Sequence, residues 1–135
     1  MSSVLINIIL NSILLGIILL TQFVNYPLFK KINNDFVFYH ADYTNRMSYV
    51  VAPIMTFELL TVTIIFFNNP ITNLTLIILL TTILIWASTF FIQVPIHNKI
   101  GYKKDIHKIN RLIKSNLIRT SLWSVKLIFS ILLFL

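Results

Sequence analysis

The distribution of charged residues constrains the fold of this chain more than any other feature. All charged side chains except Glu58 fall in two blocks, residues 30–46 and 99–126. The stretches outside these blocks are apolar, and a charge placed in bilayer hydrocarbon costs roughly 2.5–3.5 kcal/mol on insertion scales. Hydrophobic residues make up 57% of the 135 positions, too many for the core of so short a soluble protein. The sequence therefore predicts an integral membrane protein.

Helix-breaking residues divide the apolar stretches into the four spans of an all-α, integral membrane four-helix bundle. Each crossing needs about 20 apolar residues, and the ends of the first three spans are marked by Pro27, Pro70 and Pro95. We expect a single domain with spans at about residues 4–24, 47–67, 71–94 and 117–135. Residues 103–116 place isoleucines on one helical face and basic residues on the other. This pattern predicts an amphipathic cytoplasmic helix lying on an anionic leaflet.

The basic residues predict the orientation of the bundle. The eleven Lys and Arg residues belong to the two connections on one side of the membrane or to adjoining helix ends. Because short basic loops stay in the cytoplasm, both termini are expected on the outer side of an inner (cytoplasmic) membrane. The net charge of +7 is thus ascribed to orientation and anionic lipid, and not to nucleic-acid binding.

Residue types that the chain lacks narrow the classes of function. There is no cysteine, which excludes a disulfide, a thiolate metal site and a cysteine nucleophile. With Gly16 and Gly101 as the only glycines, no GxxxG face identifies a dimer interface. The sequence therefore leaves open whether the protein forms a homo-oligomer or belongs to a larger membrane complex.

Two histidines are predicted to share one site. His40 lies near the start of the second helix and His97 near the end of the third, so both belong at the same membrane side. If they form one site, their rings should lie within roughly 10 Å of each other. Two neutral imidazoles can move protons at a substrate, or ligate a transition metal or the iron of a haem. The sequence thus leaves three alternatives for a cofactor: none, a transition metal, or haem. In the last two, His40 and His97 are the predicted ligands.

Arg119 is the residue expected to stabilise negative charge on a bound molecule. Together with Asn116 and Lys126, it is predicted to reach the level of the histidines from the fourth helix. An unpaired guanidinium in the bilayer is costly, so we expect Arg119 to bond a bound anionic group or one of Gln22, Asn25, Asp42 and Tyr43. The side chains predicted to bind substrate beside the catalytic His40, His97 and Arg119 are Tyr43, Arg46, Gln93, Asn116 and Trp123.

Glu58 is a lone carboxylate within the second span. It follows His40 by 18 residues, about 27 Å along a helix, so the two side chains are not expected in one site. Glu58 is predicted to be protonated, hydrogen-bonded to another helix, or part of a proton path.

Four strings of residues resemble the anthrone oxygenase-like family of small four-helix bacterial membrane proteins. They are Tyr26-Pro-Leu-Phe29, Tyr39-His40 with Tyr43-Thr-Asn-Arg46, Gln93-Val-Pro-Ile-His97-Asn98, and Asn116-Leu-Ile-Arg-Thr-Ser-Leu-Trp123. The resemblance implies oxidation of a hydrophobic, quinol- or anthrone-like small molecule. The alternative is a non-enzymatic bundle that binds haem, a metal or lipid, or an accessory subunit of a larger complex.

Overall fold

The computed structural model describes residues 2–69 and 71–135, and over these ranges it is an all-α bundle without strands. Four helices are long and apolar enough to cross a membrane: α1 (Ser2–Phe29), α2 (Phe36–Asn68), α3 (Asn73–Tyr102) and α4 (Ile106–Phe134). The predicted four-helix membrane fold is therefore confirmed. Pro70, predicted to mark the end of the second span, lies outside the described residues.

The α1–α2 and α3–α4 connections meet at one end of the bundle, which we call the basic end (residues 30–35 and 103–105). Lys104 Nζ donates hydrogen bonds to the Lys30 carbonyl at 2.9 Å and to Asn33 Oδ1 at 3.0 Å. Because the helices alternate in direction, the start of α1, the end of α2, the start of α3 and the end of α4 lie at the opposite end. The α2 helix has 33 residues, about 50 Å at 1.5 Å per residue, so it is longer than the hydrocarbon layer.

Side chains cap two of the helix starts. Asp105 precedes α4, and its carboxylate accepts the backbone N–H groups of His107 at 2.9 Å and Lys108 at 3.2 Å. These bonds, with the Lys108 ammonium at 3.1 Å, hold the pKa of Asp105 below its ordinary value. Thr72 and Thr75 form a reciprocal capping box at the start of α3. Asp35 occupies the N-cap position of α2, with φ of 54°, but its side chain accepts no capping hydrogen bond.

Two helices contain a π-helical turn followed by a proline. In α1 this turn is Thr21–Asn25, and in α3 it is Thr89–Gln93. The N–H groups of Tyr26 and Val94 bond the carbonyls five residues earlier, at Thr21 and Thr89. The prolines then fall in the first turn after the π segment, where a helix tolerates them. For this reason α3 continues through Pro95 to Tyr102, beyond the predicted span of residues 71–94.

Apolar side chains form two buried clusters along the bundle axis. One, near the basic end, includes Phe29, Ile100 and Leu112, and the other, nearer the middle, includes Leu14 and Ile85. Many Leu, Ile and Phe side chains on the outside remain exposed. That distribution suits a bundle whose outer surface faces lipid.

A buried ion pair joins α2 to α4 away from the basic end. Glu58 and Lys126 are hydrogen-bonded to each other, and both side chains are 0% exposed. Among the alternatives for Glu58, the structure shows a hydrogen bond to another helix. Lys126 lies seven residues beyond Arg119, about 10 Å further along α4. Lys126 was predicted to reach the level of the histidines, but it does not, because it pairs with Glu58 further from the basic end.

Candidate functional site

A largely apolar cavity of about 760 Å³ lies between α2 and α3 and is also lined from α1 and α4. It runs from His40 and Tyr102 at the basic end to Met55 and Trp86 near the middle. Exposed residues of α2 and α3, including Ala52 and Phe90, are part of its wall. The cavity thus reaches the side of the bundle, where lipid would lie, and its volume is typical of small-molecule sites.

Tyr26, His97 and His40 form a row of hydrogen-bonded side chains on the cavity wall. The Tyr26 hydroxyl lies 2.9 Å from His97 Nε2, and His97 Nδ1 lies 2.9 Å from His40 Nε2. The two imidazoles are stacked, with ring centroids 5.1 Å apart. The predicted proximity of His40 and His97 is therefore confirmed. We call this row the relay.

The relay can hold its protons in two arrangements. A neutral imidazole has one N–H and one acceptor nitrogen, so His97 donates on one side and accepts on the other. In one arrangement Tyr26 donates to His97, which donates to His40, and in the other both bonds reverse. A proton can therefore pass between Tyr26 and His40 through His97, without movement of the rings.

The π turns aim Tyr26 and His97 at each other from different helices. Each residue follows a π turn by one to four positions, and one extra residue in a helix rotates everything after it by about 100°. The local sequences share a pattern, Thr-x₃-amide-x-Pro, at residues 21–27 and 89–95. Tyr26 was not predicted as a site residue, and this repeated pattern is the signal that could have identified it.

Aromatic packing fixes the His40 ring at the basic end of the cavity. His40 is only 2% exposed, and it stacks on Phe36 with ring centroids 5.7 Å apart. Phe29 meets it edge-on at 5.5 Å. Gly101 lies beside the ring, and a Cβ added there would be 3.6 Å from His40 Nδ1, an ordinary van der Waals contact. These contacts hold the His40 ring in one orientation in the structure.

Arg119 faces the same cavity and is 7% exposed. Its guanidinium lies 5.2 Å from the Trp123 ring centroid and beside the Tyr26 hydroxyl. Nη1 donates a long bond of 3.5 Å to Asn116 Oδ1, and Nε has no acceptor among the described residues. Gln22 reaches Arg119 indirectly, because its Oε1 accepts from Asn116 at 2.9 Å.

The other predicted partners of Arg119 are engaged elsewhere. Asn25 donates to the Tyr43 hydroxyl at 3.3 Å, and Asp42 pairs with Arg46 at 2.8 Å. The Arg46 side chain is 78% exposed, so the structure does not bring it to the cavity. Tyr43 does line the cavity, close to the relay.

The remaining predicted binding residues divide between the wall and its support. Trp123 lines the cavity. Asn116 is fully buried behind Arg119, with its amide held by Gln22. Gln93 donates to Ser115 at 2.9 Å and joins α3 to α4. Asn116 and Gln93 therefore position helices and neighbouring groups and do not line the cavity.

The geometry of the two histidines bears on the metal and haem alternatives. Two histidine nitrogens that ligate a haem iron bind it from opposite faces and lie about 4 Å apart, because each metal–nitrogen bond is about 2 Å long. The facing nitrogens of His40 and His97 are 2.9 Å apart and bonded to each other, which leaves no space for a porphyrin between them. No group of three His, Cys, Asp or Glu side chains in the described part of the chain is arranged to hold a metal ion.

The assembled groups are suited to acid–base chemistry on a hydrophobic molecule. The relay can take up or supply a proton at the cavity wall, and Arg119 offers a positive charge beside it. Comparisons of the chain with protein-family models, curated proteins and solved structures found no match.

Proposed function

We propose that this protein is a membrane-embedded oxidoreductase of the oxygenase type, acting on a hydrophobic quinol- or anthrone-like substrate. The observation that carries the proposal is the relay of Tyr26, His97 and His40 on the wall of an apolar cavity beside buried Arg119. The resemblance of the four sequence strings to anthrone oxygenase-like proteins supports the same substrate class.

The substrate would enter from the lipid. The cavity reaches the bundle surface between α2 and α3, and its wall is mostly apolar, with Trp86 and Phe90 in tilted contact at 5.6 Å between ring centroids. A polycyclic molecule dissolved in the bilayer can therefore reach the relay without crossing water. Such a path suits a substrate that is poorly soluble in water.

In the first step the relay removes a proton from the substrate. An anthrone has an acidic CH₂ group opposite its carbonyl, and deprotonation places the negative charge on the carbonyl oxygen. The proton goes to a histidine of the relay, while Arg119 stabilises the oxyanion. The net charge in the cavity does not change in this step, because the negative charge that forms on the substrate is matched by the positive charge that forms on the relay.

In the second step dioxygen oxidises the deprotonated ring. For an anthrone, the CH₂ group becomes a carbonyl, one atom of dioxygen forms the new C=O, and the other leaves as water with the two hydrogens. Each substrate thus consumes one dioxygen and gives one quinone and one water. The protein supplies the base, the cation and a largely apolar cavity.

We also propose that the basic end faces the cytoplasm in an inner membrane of bacterial type. Lys30, Lys31, Lys99 and Lys103 are exposed at or near this end, where they would meet anionic lipid. The relay then lies near the cytoplasmic interface, at the level of the first turns of α2.

Dioxygen uptake tests the proposed reaction. We expect the purified protein in nanodiscs to convert anthrone to anthraquinone with equimolar dioxygen consumption, and His97→Ala to lower the rate by about 10²-fold or more. His107→Ala is the matched control, because His107 is exposed and lies outside the relay, and it should retain the wild-type rate. Wild-type activity no faster than empty nanodiscs would contradict oxidation of this substrate and favour a bundle that only binds lipid-like molecules.

A further inference from the structure

Arg119 is a buried cation that lacks a protein counter-charge. It lines the cavity, and its Nε has no acceptor among the described residues. Its bond to Asn116 is long, at 3.5 Å, and a neutral amide does not balance a full charge. Burying an ion without a partner is costly in a protein interior and more so in a membrane.

The acidic residues of the chain lie elsewhere. There are four Asp and Glu residues. Asp42 pairs with Arg46, Glu58 with Lys126 and Asp105 with Lys108, and Asp35 is exposed at the start of α2. No carboxylate in the described part of the chain forms an ion pair with Arg119. No described side chain therefore supplies the negative charge that would balance Arg119.

We infer that the natural ligand of this cavity is a lipophilic anion, an aromatic or other hydrophobic body carrying one acidic group that is already ionised when it lies against Arg119. The inference rests on the proposed function, since it concerns the same cavity, and it narrows the substrate class. The ionised group uses some of the five N–H donors of Arg119, and the others remain for the oxyanion that forms in the first step. The ionised group is a carboxylate or an acidic phenol, since both present negatively charged oxygen to a guanidinium. It lies beside Tyr26, and the hydrophobic body extends along the wall towards Met55 and Trp86.

Tryptophan fluorescence provides the binding measurement. The chain has two tryptophans, Trp86 and Trp123, and both line the cavity, so a bound quinone should quench them. The first probe pair is anthraquinone-2-carboxylate and its methyl ester, and the second is 2-hydroxyanthraquinone and 2-methoxyanthraquinone. In nanodiscs of zwitterionic lipid, we expect at least one anionic probe to bind about tenfold more tightly than its neutral partner, as a charge-assisted hydrogen bond implies.

The two probe pairs distinguish the source of the charge. A preference confined to the first pair identifies a carboxylate. A preference in the second pair, with a red-shifted absorption band of the bound hydroxyanthraquinone, identifies a phenol that ionises in the cavity. Either result supports the inference.

Variants of Arg119 separate its effect from the unequal partitioning of the probes into lipid. Arg119→Met should abolish the preference, and Arg119→Lys should retain part of it. Lys114→Met is the matched control, an exposed cation on the same helix, and should leave the preference unchanged. If Arg119→Met does not fold, a pH titration of the wild-type protein replaces it: affinity for the carboxylate should fall as the probe is protonated, while affinity for the ester stays constant.

Equal affinities within both probe pairs, absence of binding by all four probes, or a preference that survives in Arg119→Met would overturn the inference. Oxidation of unsubstituted anthrone without any anion preference would leave the proposed reaction standing and this inference wrong. An anion preference without oxidation of any ring substrate would support this inference and contradict the proposed reaction.

Discussion

His97 has hydrogen-bonding partners on both ring nitrogens, and these partners come from different helices. Its pairing with His40 could be predicted from the sequence, because the second helix begins and the third ends at the same side of the bundle. Its bond to Tyr26 could not, because a tyrosine near a membrane interface is ordinary in such proteins. Whether that tyrosine faces lipid or a partner depends on the π turn before it.

Replacing Tyr26 with Phe tests the role of the tyrosine at one end of the relay. The variant keeps the ring but removes the hydroxyl 2.9 Å from His97 Nε2, so one nitrogen of His97 loses its partner. We expect the rate of substrate oxidation to fall by about 10- to 100-fold, while the loss of one hydrogen bond lowers the stability by only about 1 kcal/mol. Turnover and thermal unfolding, measured on the same nanodisc sample, check both values.

Tyr49→Phe is the matched control for this substitution. Tyr49 is 75% exposed on α2, and it does not line the cavity. Its variant should behave as wild type in both measurements. Equal activities of Tyr26→Phe and wild type would show that the relay ends at His97.

Helix boundaries in this chain could be predicted only where a simple rule applies. Asp105 before an amphipathic run caps α4, as such a residue commonly does. Pro95 marks the predicted end of the third span, yet the helix continues because the preceding π turn accommodates the missing N–H. A π turn depends on which carbonyls find donors and on how the next helix packs, and neither is readable from the hydrophobic pattern.

The pairing of Glu58 with Lys126 also escaped the sequence pattern, although Glu58 is isolated within an apolar span and Lys126 is the last charge of the second block. Glu58→Gln should destabilise the bundle by about 3–5 kcal/mol, because it leaves the Lys126 charge buried without a partner. The apolar double variant Glu58→Leu with Lys126→Met should recover most of that loss. Thermal unfolding in nanodiscs is the measurement.

Asp42→Asn is the matched control for Glu58→Gln on the same helix. Asp42 pairs with Arg46 in an exposed position, so its loss should change stability by only about 0–1 kcal/mol. If Glu58→Gln were as mild as Asp42→Asn, the deep ion pair would not stabilise the bundle.

Asp105 makes the start of α4 sensitive to acid. Its pKa in the folded protein lies below the ordinary value of 3.8, so its contribution to stability is complete above that value and is lost as the pH falls through the folded pKa. Wild-type unfolding temperature should therefore drop as the pH falls from about 5 to about 2. Asp105→Asn keeps the cap without a titrating group, and its unfolding temperature should drop less. Identical pH profiles for the two proteins would exclude this role of Asp105.

At the level of the whole molecule, the segregation of charge predicted the all-α membrane bundle. Four apolar stretches separated by basic connections leave few other folds for a chain of this length. The cavity could not be predicted, because it depends on how α2 and α3 diverge and on which side chains fill the space between them. Side-chain packing also could not be predicted for Arg46, which the sequence pattern assigned to the substrate site. Its spacing suits the polar face of α2, but its side chain pairs with Asp42 on the exposed side.

The absence of cysteine from the sequence allows a clean test of orientation with single-cysteine variants. Lys103→Cys lies at the basic end and Ile71→Cys at the other, and both positions are exposed. In intact cells a membrane-impermeant maleimide should label Ile71→Cys, whereas Lys103→Cys should react only after the membrane is permeabilised. The reverse pattern would place the basic end and the relay on the outer side.

The most direct measurement is an experimentally determined structure of the protein with anthraquinone bound. We predict ligand density in the cavity between α2 and α3, with the rings near Trp86 and Met55. One ligand oxygen should lie within about 3.2 Å of Arg119 or a relay side chain, the reach of a hydrogen bond. Ligand density confined to the outer surface, or to the groove at His107 and Lys114, would contradict the assignment of this cavity as the substrate site.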